Sequence, residues 1–154
     1  MTVPPDRADR ERRAPPPAAP PEGFVQLTGR GGYTTHNGPW YERYDETGRL
    51  IRGFRVLPHH LNALGIIHGG LLSAFLDTTM GSAVWLTTKR RAVTLRLQLD
   101  YLNNTRLNDW VEGTADCTGF DAEVAYVTAR LYCRRHTLAT GQGVFALLSP
   151  RRKD

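Results

Sequence analysis

A chain of 154 residues makes one domain and is too short for two ordinary ones. Hydrophobic residues at 40% and charged residues at 23% are globular proportions, which exclude wholesale disorder, collagen and a disulfide-rich toxin. The net charge of +5 comes from 18 Arg and 2 Lys, with basic knots at Lys89-Arg90-Arg91, Arg134-Arg135 and Arg151-Arg152-Lys153. Such knots suit a phosphorylated small ligand or nucleic acid, or are simply solvated. Nucleic acid is not expected, because no helix-turn-helix, zinc finger or RNP-type aromatic strand is present. No apolar run reaches the ~18 residues of a membrane span. The N-terminal arginines are followed by no apolar stretch, so no signal peptide is expected. Cys117 and Cys133 lack CxxC spacing and read as small core hydrophobes of a cytoplasmic protein, a lone disulfide being the alternative.

Residues 1–22 hold seven of the ten prolines and balance four Arg against four acids, with no apolar period. They are expected to be a disordered tail, with the domain occupying residues 23–154. Turn signals crowd residues 28–50. Tyr41–Tyr44 and Leu50–Leu57, joined by Glu46-Thr47-Gly48, predict a hairpin. After the break at Pro58-His59-His60 comes one long helix. From Leu71 to Leu86 it is apolar nearly all round, so it must be buried on most sides. Its small and polar residues Ser73, Asp77 and Gly81 fall at i, i+4 and i+8 and make one stripe. The period then changes to two. In Val93–Tyr101 the odd positions are apolar and the even ones polar, which predicts a strand with one buried face and puts Thr94 on the polar face. Trp110–Thr118, Glu123–Arg134 and Thr140–Ser149 predict three more strands. With no helix between them they must pair antiparallel. The expected fold is α+β: one curved antiparallel sheet wrapped around one helix, with a second subunit covering what the sheet leaves open.

The informative segment is Asn62-x5-His68-Gly69-Gly70-x6-Asp77-x3-Gly81. Asn62 and the two glycines each have an ordinary reading as turn or backbone geometry. Asp77 is harder to dismiss, because it lies about two turns into an apolar helix. A carboxylate there must find donors, face a cavity or have its pKa raised. One alternative is that it bonds Ser or Thr hydroxyls across a subunit contact. The free N–H groups at the helix start, near Gly69 and Gly70, can polarise a carbonyl and stabilise an oxyanion. Asp77 lies ~10 Å further along the axis than Gly70. One helix therefore does not present both groups to one carbon, whereas two antiparallel helices across a two-fold axis can.

The sequence GIIHGGLLSAFLDTTMGSAV, preceded by HxN at His60–Asn62 and followed by VTLRLQLDYL, resembles the hotdog-fold acyl-CoA thioesterases of the phenylacetate-pathway (PaaI-like) family. The resemblance spans about Gly38 to Ser149. It implies hydrolysis of an acyl- or aryl-CoA thioester in a homodimer or homotetramer with shared sites, and no cofactor beyond the CoA of the substrate. It implies that Asn62 and the Gly69 N–H bind the thioester carbonyl and that Asp77 of the neighbouring subunit is general base or nucleophile. Thr94 would orient water, and His68 would shape the oxyanion turn. Gly70, Asn104, Arg106, Gly119 and Arg134 are the candidates for holding substrate and the CoA arm, with Arg134-Arg135 meeting its 3′-phosphate. Asp77 and Gly81 stand where another branch has Glu and Thr, which favours the PaaI-like branch. Two alternatives remain: a non-catalytic acyl-CoA-binding protein and an enoyl-CoA hydratase. Phe54, Phe75, Trp85 and Trp110 either line an acyl pocket or fill the core.

Overall fold

The structure, a computed structural model, describes residues 17–29 and 31–149. Seven strands form one antiparallel sheet: β1 (Val25–Gln26), β2 (Trp40–Tyr44), β3 (Leu50–Arg55), β4 (Ala92–Tyr101), β5 (Trp110–Phe120), β6 (Val124–Cys133) and β7 (His136–Leu147). Their spatial order is β1-β2-β3-β5-β6-β7-β4. A short helix, α1 (Gly32–Asn37), precedes β2, and the long helix α2 (Gly69–Thr88) follows a 3₁₀ turn at Pro58–His60. The sheet curves around α2, which is the expected α+β hotdog architecture. Turn signals hid α1, which buries no side chain.

The sheet can wrap so closely because glycines lie beneath the helix. A Cβ on Gly113 would stand 3.2 Å from Phe75 Cε1, and one on Gly143 would stand 2.8 Å from Met80 Sδ. On the packed side of α2, Leu71, Leu72, Phe75, Leu76, Thr79, Met80, Ala83 and Val84 are buried. They meet Val111 of β5, the Ala125–Cys133 alternation of β6 and Phe145 of β7 in one core. Of the four large aromatics considered for a pocket, Phe54 and Phe75 are fully buried there, 4.6 Å apart in an edge contact. Trp85 is half exposed on α2, and Trp110 packs against Phe24 and Tyr41 instead. Both cysteines are free, Cys133 within the core and Cys117 partly packed against it.

Two expectations need correction. The strict alternation expected along β4 does not hold. Thr94 pairs with Phe145 and Arg96 with Val144, so Leu95 is bulged out of the ladder. One extra residue moves every side chain before it to the other face. Thr94 therefore shares the helix-facing side with Leu97 and Leu99, while Val93 and Leu95 point outward, 49% and 61% exposed. Secondly, the expected tail is not detached throughout. Residues 1–16 lie outside the described residues, as does the knot at 151–153, but Ala18 and Ala19 offer their carbonyls to Arg55 on β3.

Candidate active site

The loop between the 3₁₀ turn and α2 is built by Asn62. Its side-chain carbonyl accepts from the N–H of Leu64 at 2.9 Å and of Ile66 at 3.4 Å, closing the turn. That commits the oxygen of the carboxamide and leaves its –NH₂ as the donor available to a ligand. The loop is pinned from behind, with Ile67 N–H on Thr105 O, His68 N–H on His60 O, and Ile66 bridged to Arg106.

His68 caps α2. Its Nδ1 accepts from Gly70 N–H at 2.9 Å, so in the neutral ring the proton is on Nε2. A Cβ on Gly70 would come within 2.9 Å of that Nδ1, which is why the second residue of the helix is glycine. The cap uses the Gly70 donor. The Gly69 N–H, ahead of it at the positive end of the helix, has no acceptor among the described residues. Of the two amides considered for a carbonyl, Gly69 is thus the one left open. Tyr101, which nothing in the sequence singled out, closes the other side: its phenol donates to Gly69 O at 3.1 Å.

His60 anchors this arrangement from within the core. Its ring is buried, Nδ1 accepts from Leu57 N–H at 3.0 Å, and Nε2–H donates to Asn37 O at 2.9 Å. The same carbonyl also receives the indole N–H of Trp40. Burial, reinforced by the neighbouring His59, pushes the imidazole down to about 4, so the ring is neutral.

Asp77 lies eight residues beyond Gly69, ~12 Å along the helix. It is half-buried, and Thr94 Oγ1 donates to its Oδ1 at 2.6 Å. The bulge at Leu95 is what brings that hydroxyl to it. Asp77, Ser73 and Gly81 remain half-buried on the side of α2 that the sheet does not close. Beside that side runs β4, which pairs only with β7 and is an open edge exposing Val93, Leu95 and Tyr101.

The residues considered for the CoA arm separate. Arg106 and Asn104 border the Asn62 loop, both exposed. Arg134 reaches the same end through an ion pair of 3.4 Å with Asp109. Arg135 is exposed in the next turn. Gly119, by contrast, sits near the far end of β5, ~30 Å from Trp110 at a strand's rise, so one chain does not bring it to Asn104 and Arg106. Among the described residues no group of three or more His, Cys, Asp or Glu could hold a metal ion, and no helix is long and apolar enough to cross a membrane.

One long helix wrapped by a seven-stranded antiparallel sheet is the hotdog architecture. The comparisons agree: the family model described as the Thioesterase superfamily matches residues 64–140, and the chain belongs to that superfamily. Over 129 residues it is 32% identical to the Pseudomonas aeruginosa protein named "Putative esterase PA0474", covering 82% of this chain and 96% of that one. The Bacillus halodurans protein BH2602, solved with CoA, superposes with a TM-score of 0.69 at 25% identity, over 80% of this chain and 83% of its own. Zebra fish thioesterase superfamily member 2 gives 0.70 at 18% identity, over 77% and 88%.

Proposed function

We propose that this protein hydrolyses acyl- or aryl-CoA thioesters in the manner of the PaaI-like branch, in the cytoplasm, as a homo-oligomer whose sites are shared between two chains. The observation that carries the reading is the Asp77 carboxylate, held by Thr94 on the open side of a helix whose first amide is unclaimed. Two antiparallel α2 helices, packed along Ser73, Asp77 and Gly81, would set Asp77 of one chain against Gly69 and Asn62 of the other. The exposed edge of β4 supplies a second surface for that pairing, since an unpaired apolar edge is a template for another strand.

In this reading the thioester carbonyl accepts from the Gly69 N–H and the Asn62 –NH₂. Asp77 takes a proton from water, which adds to the carbonyl carbon. The same two donors stabilise the oxyanion. Collapse of the intermediate expels the CoA thiolate, and the proton held by Asp77 passes to sulfur, leaving free acid and CoA. Thr94 orients the carboxylate and His68 keeps the Gly69 turn in shape. No metal or organic cofactor is assigned a step. Support for CoA as the carrier comes from the CoA-bound relative, together with Arg106 and Arg134 at the same end of the fold as the Asn62 loop. The test is a thiol-release screen over phenylacetyl-, benzoyl- and straight-chain acyl-CoA esters with the parent chain and Asp77→Asn. Turnover on at least one ester, lost in the variant, supports the reading. Equal turnover in both overturns the mechanism.

A further inference from the structure

The outer surface of the sheet, turned away from α2, carries a cleft lined by Arg55, Asn108 and Trp110, with Arg134 the one lining residue that the proposed chemistry uses. Trp110 is its floor. The indole lies over Gly53, where a Cβ would come within 2.4 Å of the ring. Phe24 packs edge-on to the ring at 4.9 Å, and the Arg55 guanidinium stands 5.1 Å above it. Arg55 commits all three of its nitrogens to carbonyls. Nε donates to Ala18 O at 3.2 Å, Nη2 to Ala19 O at 2.6 Å and Nη1 to Asn108 O at 2.9 Å. A flat guanidinium holds three such groups in fixed directions within its plane, whereas the three donors of an ammonium rotate freely. The segment it grips reads Pro17-Ala-Ala-Pro-Pro, with Pro20 half-buried and Phe24 N–H returning to Pro21 O at 3.3 Å. A proline-rich chain has few donors and little freedom to lose. Recognition through its carbonyls over an aromatic floor is the mode expected for it.

The third carbonyl leads toward the candidate active site. Asn108 is in the left-handed region at φ 66° and begins a chain of bonds. Its N–H donates to Val56 O, and Val56 N–H donates to Asp109 O. The Asp109 carboxylate accepts from Thr105 Oγ1 and Arg106 N–H, Thr105 O accepts from Ile67 N–H, and Ile66 O accepts from Asn62 N–H. Arg55 therefore joins residues 18–19 to the turn that supports the Asn62 loop.

We propose that residues 17–24 are a strap whose seating on the Trp110 cleft, through Arg55, holds the Thr105–Asp109 turn and so the Asn62 loop in its working geometry. Arg55, at the edge of the cleft, is the receptor for the proline-rich segment, engaged in cis. Arg55 acts as a positioning residue. The part concerning turnover rests on the thioesterase reading, but the strap itself does not.

Two full-length variants test it: Arg55→Gln, and a strap variant carrying Pro17→Gly, Pro20→Gly and Pro21→Gly. Each is expected to speed amide exchange at Arg106 and Asp109 about tenfold, leave Ala129 in the centre of β6 unchanged, and lower kcat/KM three- to tenfold. Combining them is expected to add nothing further. A peptide spanning residues 14–24, added in trans, should slow exchange again in the strap variant and not in Arg55→Gln. Parent exchange rates in the strap variant, additive losses, or peptide rescue of Arg55→Gln would each overturn the proposal. Exchange is read without substrate. Altered exchange in a chain that hydrolyses no ester would thus sink the thioesterase reading and leave the strap standing.

Discussion

The two sides of α2 are built to opposite ends. Toward β5, β6 and β7 it is closed: Phe75, Leu76 and Met80 press onto strand backbone at Gly113, Gly141 and Gly143. Toward β4 it is open: Ser73, Asp77 and Gly81 are half-buried, and a Cβ on Gly81 would meet nothing nearer than Phe145 at 4.0 Å. The same helix thus carries stability on one side and a carboxylate with a hydroxyl partner on the other. Burial that fixes the helix and the polar stripe proposed to carry the chemistry are separated by little more than a third of a turn.

That division can be broken from either side. On the open side, Asp77→Asn removes the proposed proton acceptor. It should cost about a thousandfold in kcat, within the range of general base catalysis, with an unchanged denaturation midpoint. A variant that also unfolds would place Asp77 on the structural side. On the closed side, acid should act through His60. Its folded-state pKa of about 4 lies below the reference 6.5, so the native ring favours the neutral form. The stability this gives is fully present above pH 6.5 and is lost as pH falls toward 4, up to about 3 kcal/mol. Urea midpoints compared at pH 7 and pH 4, with His60→Phe as the control that flattens the dependence, measure it. Gly141→Ala should cost about 1–3 kcal/mol of stability, because its Cβ would lie 2.9 Å from Gln98 O and 3.0 Å from Leu76. Chemical denaturation of the variant reads this directly, and an unchanged midpoint would mean that the sheet yields at Gly141 to admit the methyl group. The smallest effect belongs to Thr94→Val, which keeps the shape and deletes the bond to Asp77. It should lower kcat about tenfold, with Thr94→Ser restoring most of it, and KM should barely move.

Much of the fold was legible because hydrophobic period is a strong signal over long elements. The alternation Ala125, Val127, Ala129, Leu131, Cys133 is the buried face of β6. The apolar rod from Leu71 to Leu86 is α2, extended by its His68 cap to Gly69. Asn62, His68, Gly69 and Gly70 fall together at one helix end because they are close in the chain. The Thr94–Asp77 contact was not legible, since a bulge leaves no mark on composition and reverses parity without changing it. Tyr101 looked like one more apolar position, although its phenol spans to Gly69 O. The grip of Arg55 on Ala18 and Ala19 joins residues 36 and 37 apart, and no local pattern encodes it.

The extra residue at Leu95 has a wider meaning for how such a strand changes over time. Upstream of it, the strand answers to the Asp77 carboxylate, which Thr94 meets, and to whatever lies alongside the rim. Downstream, it answers to the greasy interior. A serine or alanine swap for the Thr94 hydroxyl leaves the second stretch undisturbed, and deleting Leu95 alone would keep the remaining side chains on their present faces, because Thr94 and Arg96 already pair with the consecutive residues Phe145 and Val144. The hydroxyl that meets Asp77 and the side chains that pack on α2 are thereby set independently within ten consecutive residues.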